Sequence, residues 1–556
     1  MPYFQKYFMA NIQKICAASG KPFVITDEDQ AFYAKIGVPL PTLCPEERRR
    51  RRFAHRNERS LYHRKCALSG KTVISNYSPE GGIPVYDLNE WWTDKWDAKS
   101  YGRDFDFSRP FFDQFFELSR VVPQLALSVW NSENSNYCNY VGNVKDSYLI
   151  FGPIYSEKCY YGSPYYSLEC LDTLVVRECQ YCYECIDSRK LYECFYCQDC
   201  HTSNNLIFSY DLQSCRDCIA CVGLRQKQYC VFNEQLTREK YEDFKKNLNL
   251  CDPKVRADLY QKLSELKLKV PRRFMYSNQV ENVSGNYVYQ CKRAKDCFYT
   301  DRSEDVRYSV QVVDLKDCFD NNYTEENELC CEYLGSYQNR QVYFSKFLNK
   351  VSEAYYCDSC FTSNHLFGCI GIRSDSYCIL NKKYTREEYE ALVPRIIEHM
   401  KKTGEWGEFF PVKLSPFAYN ETVADEYFHL EESEAKQRGF AWKSDDEANS
   451  YQGPRASVPD NIDEVKDDIV DQILTCEVTG KLYKIIPGEL AFYRKMKLPI
   501  PKRCPNERHK NRLAMRTPQI LWSRTCSLCG KNIETVYAPN SPEIVYCDEC
   551  YLKTVY

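Results

Sequence analysis

From Cys179 to Cys221 the chain reads CQYCYECIDSRKLYECFYCQDCHTSNNLIFSYDLQSCRDCIAC, and its cysteines recur at a fixed interval. Cys179, Cys197 and Cys215 stand at intervals of 18, as do Cys182, Cys200 and Cys218. Cys138, Cys159 and Cys179 are spaced by 21 and 20, and further along Cys297 and Cys318 are 21 apart. A period near 20, carried by short aromatic and β-branched runs, predicts a β-solenoid with one coil per repeat of about 18–21 residues. Leucine-rich repeats have this length, but their Leu/Asn framework is missing.

The array occurs twice. CVGLRQKQYCVFNEQLTREKYE from Cys221 returns as CIGIRSDSYCILNKKYTREEYE from Cys369. Asn136, Tyr137, Lys145 and Asp146 likewise match Asn286, Tyr287, Lys295 and Asp296. Helical apolar spacing appears only in the connections. TREKYEDFKKNLNL, DPKVRADLYQKLSELKLKV and TREEYEALVPRIIEHMKK each open on a Thr or Asp placed to cap a helix.

A second duplication encloses the first. Cys16, Gly20, Lys21, Ala31, Phe32, Tyr33, Pro39, Cys44 and Pro45 recur at an offset of 460, from Cys476 to Pro505. At the same offset, CALSGKTVISNYSPEGGIPVYDLNE (Cys66–Glu90) aligns without a gap on CSLCGKNIETVYAPNSPEIVYCDEC (Cys526–Cys550). The whole reads as a mainly β protein. Residues 1–98 form a degenerate zinc-ribbon-like module, 99–130 an aromatic connector, 131–236 the first array and 237–275 a helical connector. Residues 276–384 form the second array, 385–470 a helix followed by an acidic linker, and 471–556 a zinc-ribbon module.

The strongest chemical signal is C-x2-C-x17-C-x2-C at Cys526, Cys529, Cys547 and Cys550. Two such knuckles present four thiolates tetrahedrally to one zinc ion, a closed and therefore structural site. In the first copy Ser69, Asp87 and Glu90 face three of these cysteines. Such a set does not replace soft thiolates on zinc. The expectation there is apolar packing by the neighbouring Trp91, Trp92 and Trp96. The outer knuckles keep Cys16, Cys44, Cys476 and Cys504, with Ser19, Glu47, Thr479 and Glu507 at the second positions; these four cysteines read as buried thiols.

Several phrases carry a resemblance: LCPEERRRRRFAHRNERSLYHRKCALSGK, DKWDAKSYGRDFDFSRPFF, PFAYNETVADEYF and PEIVYCDECY. Over most of its length the chain resembles a family of Cys-rich, zinc-ribbon-containing repeat proteins encoded by candidate-phylum bacteria. The resemblance implies lineage and zinc, and no particular reaction. Family members carry fuller C-x2-C pairs at the outer knuckles, from which this chain departs.

The 32 cysteines depend on the compartment for their meaning. The opening stretch MPYFQKYFMANIQKICAASGK shows no apolar signal core or cleavage site. No run reaches the ~18 apolar residues of a membrane span. The expectation is a cytoplasmic protein with reduced thiols and no membrane partner. Within the arrays, C-x2-C-x2-C repeats suit either metal or a ladder of small buried side chains stacked from coil to coil. A motif in register with the coil favours the ladder.

Charge supplies the last signal. The net charge is -3, yet CPEERRRRRFAHR holds Arg48, Arg49, Arg50, Arg51, Arg52 and Arg56. The second copy offers Arg508, Lys510 and Arg512. Beside a zinc ribbon, such a stripe predicts phosphate contacts with RNA, DNA or the ribosome. The bland alternative is a solvated helix face, or pairing with an acidic protein or segment. No Walker loop, G-x-S-x-G or H-E-x-x-H occurs, and the 7 His are scattered, with His201 and His365 in related phrases. The resulting expectation is a non-enzymatic, modular binding protein with one structural zinc. A protein-assembly or self-associating scaffold that uses the solenoid faces, and thiol-based metal handling by the arrays, are the alternatives.

Overall fold

The computed structural model describes residues 10–444 and 456–555. Its repeating unit is a triplet. From Tyr166 to Phe232 every third residue has positive φ, with Gly223 taking one of the places. An L-residue in that region costs roughly 1–2 kcal/mol, so a sustained series needs systematic compensation. Asp and Asn, which tolerate the conformation, fill several of these corners, including Asp172, Asp187, Asp199, Asn205, Asp211 and Asp217.

The compensation is hydrogen bonding between coils. In the triplet Cys182-Tyr183-Glu184, the Tyr183 amide donates to Cys194 O at 3.0 Å. The left-handed Glu184 donates back to Leu171 O at 3.2 Å. Successive strands pair in parallel at a register of 12: Arg189 on His201, Arg216 on Gln228, Val310 on Asn322 and Asn364 on Ser376. Four triplets therefore make one coil, and bridges occur in each of them, as at Gln180, Tyr183, Ile186 and Arg189. The expected coil period of about 18–21 is corrected to 12. Intervals of 18 and 21 are six and seven triplets, because any whole number of triplets returns a cysteine to an inward position.

Two steps are one residue short, Tyr160 to Leu171 and Glu281 to Lys292. Each is accompanied by a glycine pressed against the next coil. A Cβ on Gly162 would stand 1.9 Å from Thr173 O, and one on Gly285 1.7 Å from Cys297 O.

The inward residue of each triplet exposes its own amide to the interior, where water cannot serve it. Cys159, Cys179, Cys200 and Cys215 donate to the hydroxyls of Ser147, Ser167, Ser188 and Ser203, each one coil earlier, at 3.0–3.1 Å. Cys369 uses Cys357 Sγ in the same way at 3.5 Å. Serine and cysteine suit the position because they are small and carry an acceptor. Their own hydrogens go to the carbonyl two positions back, as from Ser188 to Ile186 and from Cys200 to Gln198.

The repeated phrase noted in the sequence is a terminating cap. The last strands, Gln228–Val231 and Ser376–Ile379, fold back antiparallel on Glu234–Gln235 and Lys382–Lys383. Asn233 both accepts from and donates to the backbone of Val222, standing in for the missing next coil; Asn381 does the same to Ile370. Helices Arg238–Lys246 and Arg386–Thr403 follow, capped by Thr237 and Thr385.

The chain divides into two compact units that interleave its segments. One holds the chain up to Ala126 together with Tyr276–Lys443; the other holds Leu127–Met275 and the chain from Ser444 onward. The N-terminal module thus packs on the second array, and the C-terminal module on the first. In the first unit Phe32 stacks on Phe319 with ring centroids 3.8 Å apart. In the second, Tyr493 meets Tyr183 edge-on at 5.7 Å.

The expected linker is folded over its first part. Trp406, Phe409, Phe410, Leu414, Phe417, Tyr419 and Phe428 are buried in the first unit. Ala456 pairs with Leu474 in the second. Among the described residues, no helix is long and apolar enough to cross a membrane.

Candidate functional site

The C-terminal hairpin Trp522–Thr525 with Asn532–Thr535 delivers the first knuckle. Cys526 N donates to Lys531 O at 2.8 Å and Gly530 N to Cys526 O at 2.9 Å, a turn that needs Gly530 at φ +75°. The second knuckle is a helix start, with Cys547 just before Asp548–Val555 and Cys550 in its first turn. All four sulfurs lie within 4.8 Å of one another, and Cys529 Sγ is 3.7 Å from Cys547 Sγ. Tetrahedral zinc with bonds of ~2.3 Å separates its sulfurs by roughly 3.8 Å, so the set fits the ion.

Burial raises the Cys526 thiol, but the amides of Cys529, Cys547 and Leu528 outweigh that and bring it down to about 6. A thiol that readily becomes thiolate is what a metal ligand requires. Zinc bound here would clamp hairpin to helix and leave no position for a reacting water. Among the described residues this is the one cluster of three or more His, Cys, Asp or Glu side chains arranged to hold a metal.

The first copy keeps the backbone without the ligands. Cys66 N donates to Lys71 O and Gly70 N to Cys66 O, both at 2.9 Å. Asp87 caps the helix Leu88–Trp91, accepting from Asn89 N. Trp91 and Trp96 are buried, as expected, but Trp92 is 47% exposed.

The arginines are not where a phosphate-binding stripe would put them. Arg48, Arg49, Arg50, Arg51, Arg52 and Arg56 are buried, as are Arg508 and Arg512; of the nine expected contacts only Lys510 is exposed. Arg48 binds Asp320 at 2.9 Å, and Arg52 binds Asp320 at 3.0 Å and Glu332 at 2.9 Å. Arg51 takes Glu332 and Glu408, at 3.0 and 2.7 Å. Arg50 pairs with Glu47 at 3.1 Å, Arg49 lies over Phe298 and Phe428, and Arg56 pairs with Glu58 over the Tyr323 ring.

The second unit repeats the pattern. Arg508 binds Asp172, and Arg512 binds Asp172 at 2.9 Å and Glu184 at 3.0 Å. The match is one of pitch. Arginines four apart on a helix rise ~6 Å, while left-handed corners on consecutive coils sit ~4.8 Å apart. The expected solvent-facing basic stripe is therefore corrected to an internal docking device. A sequence signal for it existed: Asp172 and Asp320 are related by the array offset of 148, and Arg508 and Arg48 by the module offset of 460.

His201 and His365, paired in the sequence reading, sit on different sides of their coils. His201 follows Arg189 in a bridge, whereas His365 is a left-handed corner stacked on Tyr377 at 4.7 Å. Compared with protein-family models and with curated protein sequences, the chain matches none.

Proposed function

We propose that the protein is a non-enzymatic binding scaffold of the cytoplasm. In this reading two β-solenoid arrays are each buttressed by a terminal zinc-ribbon-like module, with one structural zinc at Cys526, Cys529, Cys547 and Cys550. The partner is another protein, bound along an uncovered side of the first array. The supporting observation is a row of outward aromatics: Trp130, Tyr155 and Tyr166 are 57%, 53% and 42% exposed. Tyr155 and Tyr166 stack at 5.3 Å, and the Arg177 guanidinium lies 5.2 Å over the Tyr166 ring. Trp130 lies close over Gly142, where a Cβ would meet the indole at 3.2 Å. Rigid aromatics beside arginine are what protein interfaces use as anchors.

A second reading, single-stranded nucleic acid, draws on the same Arg177–Tyr166 stack, since aromatic planes with a cation also hold bases. One comparison separates them. Partners captured by the full chain from its own cytosol should be lost with Trp130→Ala plus Tyr166→Ala, and nuclease treatment should leave them in place. Nuclease-sensitive capture, with affinity for oligonucleotides falling steeply with salt, would favour the second reading. Capture unaffected by the double variant would reject this surface.

A further inference from the structure

Two of the four ribbon-like knuckle sites keep a pair of cysteines whose thiols hydrogen-bond each other, Cys476 with Cys504 and Cys16 with Cys44. In the C-terminal module Cys476 opens a knuckle with the backbone of the zinc site: Cys476 N donates to Lys481 O at 2.9 Å and Gly480 N to Cys476 O at 3.0 Å. Cys504 stands just before the helix Pro505–Ala514, as Cys547 does before its own. Thr479, at the second position of the knuckle, touches both sulfurs: its hydroxyl is 3.9 Å from Cys504 Sγ and hydrogen-bonds Cys476. In the N-terminal module Cys16 and Cys44 repeat the arrangement, with Ser19 bonded to Cys16. The fourth position is no ligand in the first copy, because Glu47 is held by Arg50 and Arg438.

We propose that Cys476–Cys504 and its duplicate Cys16–Cys44 are dithiol sites that close to disulfides on exposure to a low-molecular-weight disulfide such as oxidised glutathione. The two thiols have distinct roles. At Cys476, burial raises the pKa, but bonds from the Thr479 side chain and the amides of Cys504, Thr479 and Val478 outweigh it and bring the thiol to about 7; burial pushes Cys504 up. Cys16 and Cys44 are shifted in the same opposite senses. The first cysteine of each pair is thus the attacking thiolate and the second the resolving thiol.

Cys476 loses its proton to water and its sulfur attacks one sulfur of oxidised glutathione, breaking that S–S bond and releasing one glutathione thiolate. Cys504 then gives up its proton and attacks Cys476 Sγ, displacing the second glutathione. The pair is oxidised by two electrons, one glutathione disulfide is reduced to two thiols, and the protons end on those thiols. Val478, two residues on in the knuckle, is 55% exposed, whereas Cys476 itself is buried at 2%, so attack needs the knuckle tip to open. The array thiols such as Cys200 are also buried, but inside hydrogen-bonded coils and not under a single turn.

The test uses the full zinc-loaded chain, treated with oxidised glutathione, alkylated and mapped by mass spectrometry. The expected linkages are Cys476–Cys504 and Cys16–Cys44, both reversed by dithiothreitol, with one zinc still bound. In Cys504→Ser, Cys476 should stop at a persistent glutathione adduct; in Cys476→Ser, Cys504 should stay unmodified. Should either variant fail to fold, the linkage map of the unaltered protein still decides. The proposal is overturned if the unaltered chain keeps the glutathione adduct on Cys476 without closing. Oxidation of array cysteines such as Cys200 before either pair overturns it too.

Discussion

Arg52 joins two coils of the second array, donating through Nη2 to Asp320 and through Nη1 to Glu332, left-handed corners on consecutive coils. Nε takes Asn322 Oδ1 at 2.7 Å, so all three faces of a guanidinium with no solvent exposure are used. Such a group cannot be read as a free cation. Removing it leaves two buried carboxylates, Asp320 and Glu332, short of a partner. Arg52→Met should destabilise the first unit by about 3–5 kcal/mol. Hydrogen exchange should lose protection in the second array around 319–334 and keep it in the first. Arg512→Met should do the reverse, around 171–186. Unchanged protection in both would show that these pairs do not carry the docking.

The zinc prediction is stoichiometric. One zinc per chain should survive dialysis, and Cys547→Ser should release it. Because Val545 and Tyr546 pair with Arg272 and Arg273, loss of the ion should also raise exchange at those four amides. Three or more metal equivalents per chain would mean that array cysteines bind metal as well.

What could be read from the sequence divides by distance along the chain. The helix caps at Thr237 and Thr385 and the four zinc-type cysteines are local patterns, and both duplications are matches of wording; neither needs a spatial partner in view. The coil length was not legible from Cys179, Cys197 and Cys215 alone, because an interval of 18 fits six triplets as well as one long coil. The deciding clue was Asp or Asn directly before inward cysteines, as in Asp199-Cys200 and Asp217-Cys218, where the left-handed corner meets the interior. The arginines were misplaced for another reason: the array carboxylates that hold Arg48, Arg51 and Arg52 lie 268–281 residues away along the chain. Residues 404–444 read as linker because their charges mask the spacing of Trp406, Phe409, Phe410 and Phe417.

Acid should weaken the first unit through His55. Its ring is buried edge-on to Phe409 at 5.5 Å. Burial first, then the Lys346 and Arg51 charges, hold its pKa well below the ordinary 6.5. The unfolded chain takes up a proton near pH 6.5 that the folded one refuses. This contribution to stability is therefore complete above that pH and falls as the pH drops below it, by up to about 1.4 kcal/mol per pH unit. Denaturant midpoints between pH 6.5 and 5 should fall in the unaltered protein and fall less in His55→Phe. Equal slopes would place the acid sensitivity elsewhere.

The arrays offer a test of why cysteine and serine fill their interior. Ser188 and Cys200 are the same inward position on consecutive coils. Ser188 Oγ accepts the Cys200 amide at 3.1 Å and donates to Ile186 O at 2.7 Å. Cys200 Sγ makes weak contacts, to Gln198 O at 3.4 Å and Ser209 O at 3.5 Å. If these side chains serve the backbone, the two alanine variants should differ. Ser188→Ala orphans a buried amide and should cost about 1–3 kcal/mol. Cys200→Ala removes one small buried atom and should cost about 1 kcal/mol. Ser188→Cys, which keeps an acceptor, should recover most of the loss, whereas Cys200→Asp puts an unpaired carboxylate into the stack and should unfold the second unit. Thiol reagents give the independent measure. Cys182, Cys200 and Cys218 have no solvent exposure, so they should label slowly in the folded chain and fast in denaturant. If Ser188→Ala were as mild as Cys200→Ala while chelator alone exposed Cys182, Cys200 and Cys218 to label, the interior would be a metal store, and serving the backbone would not be its purpose.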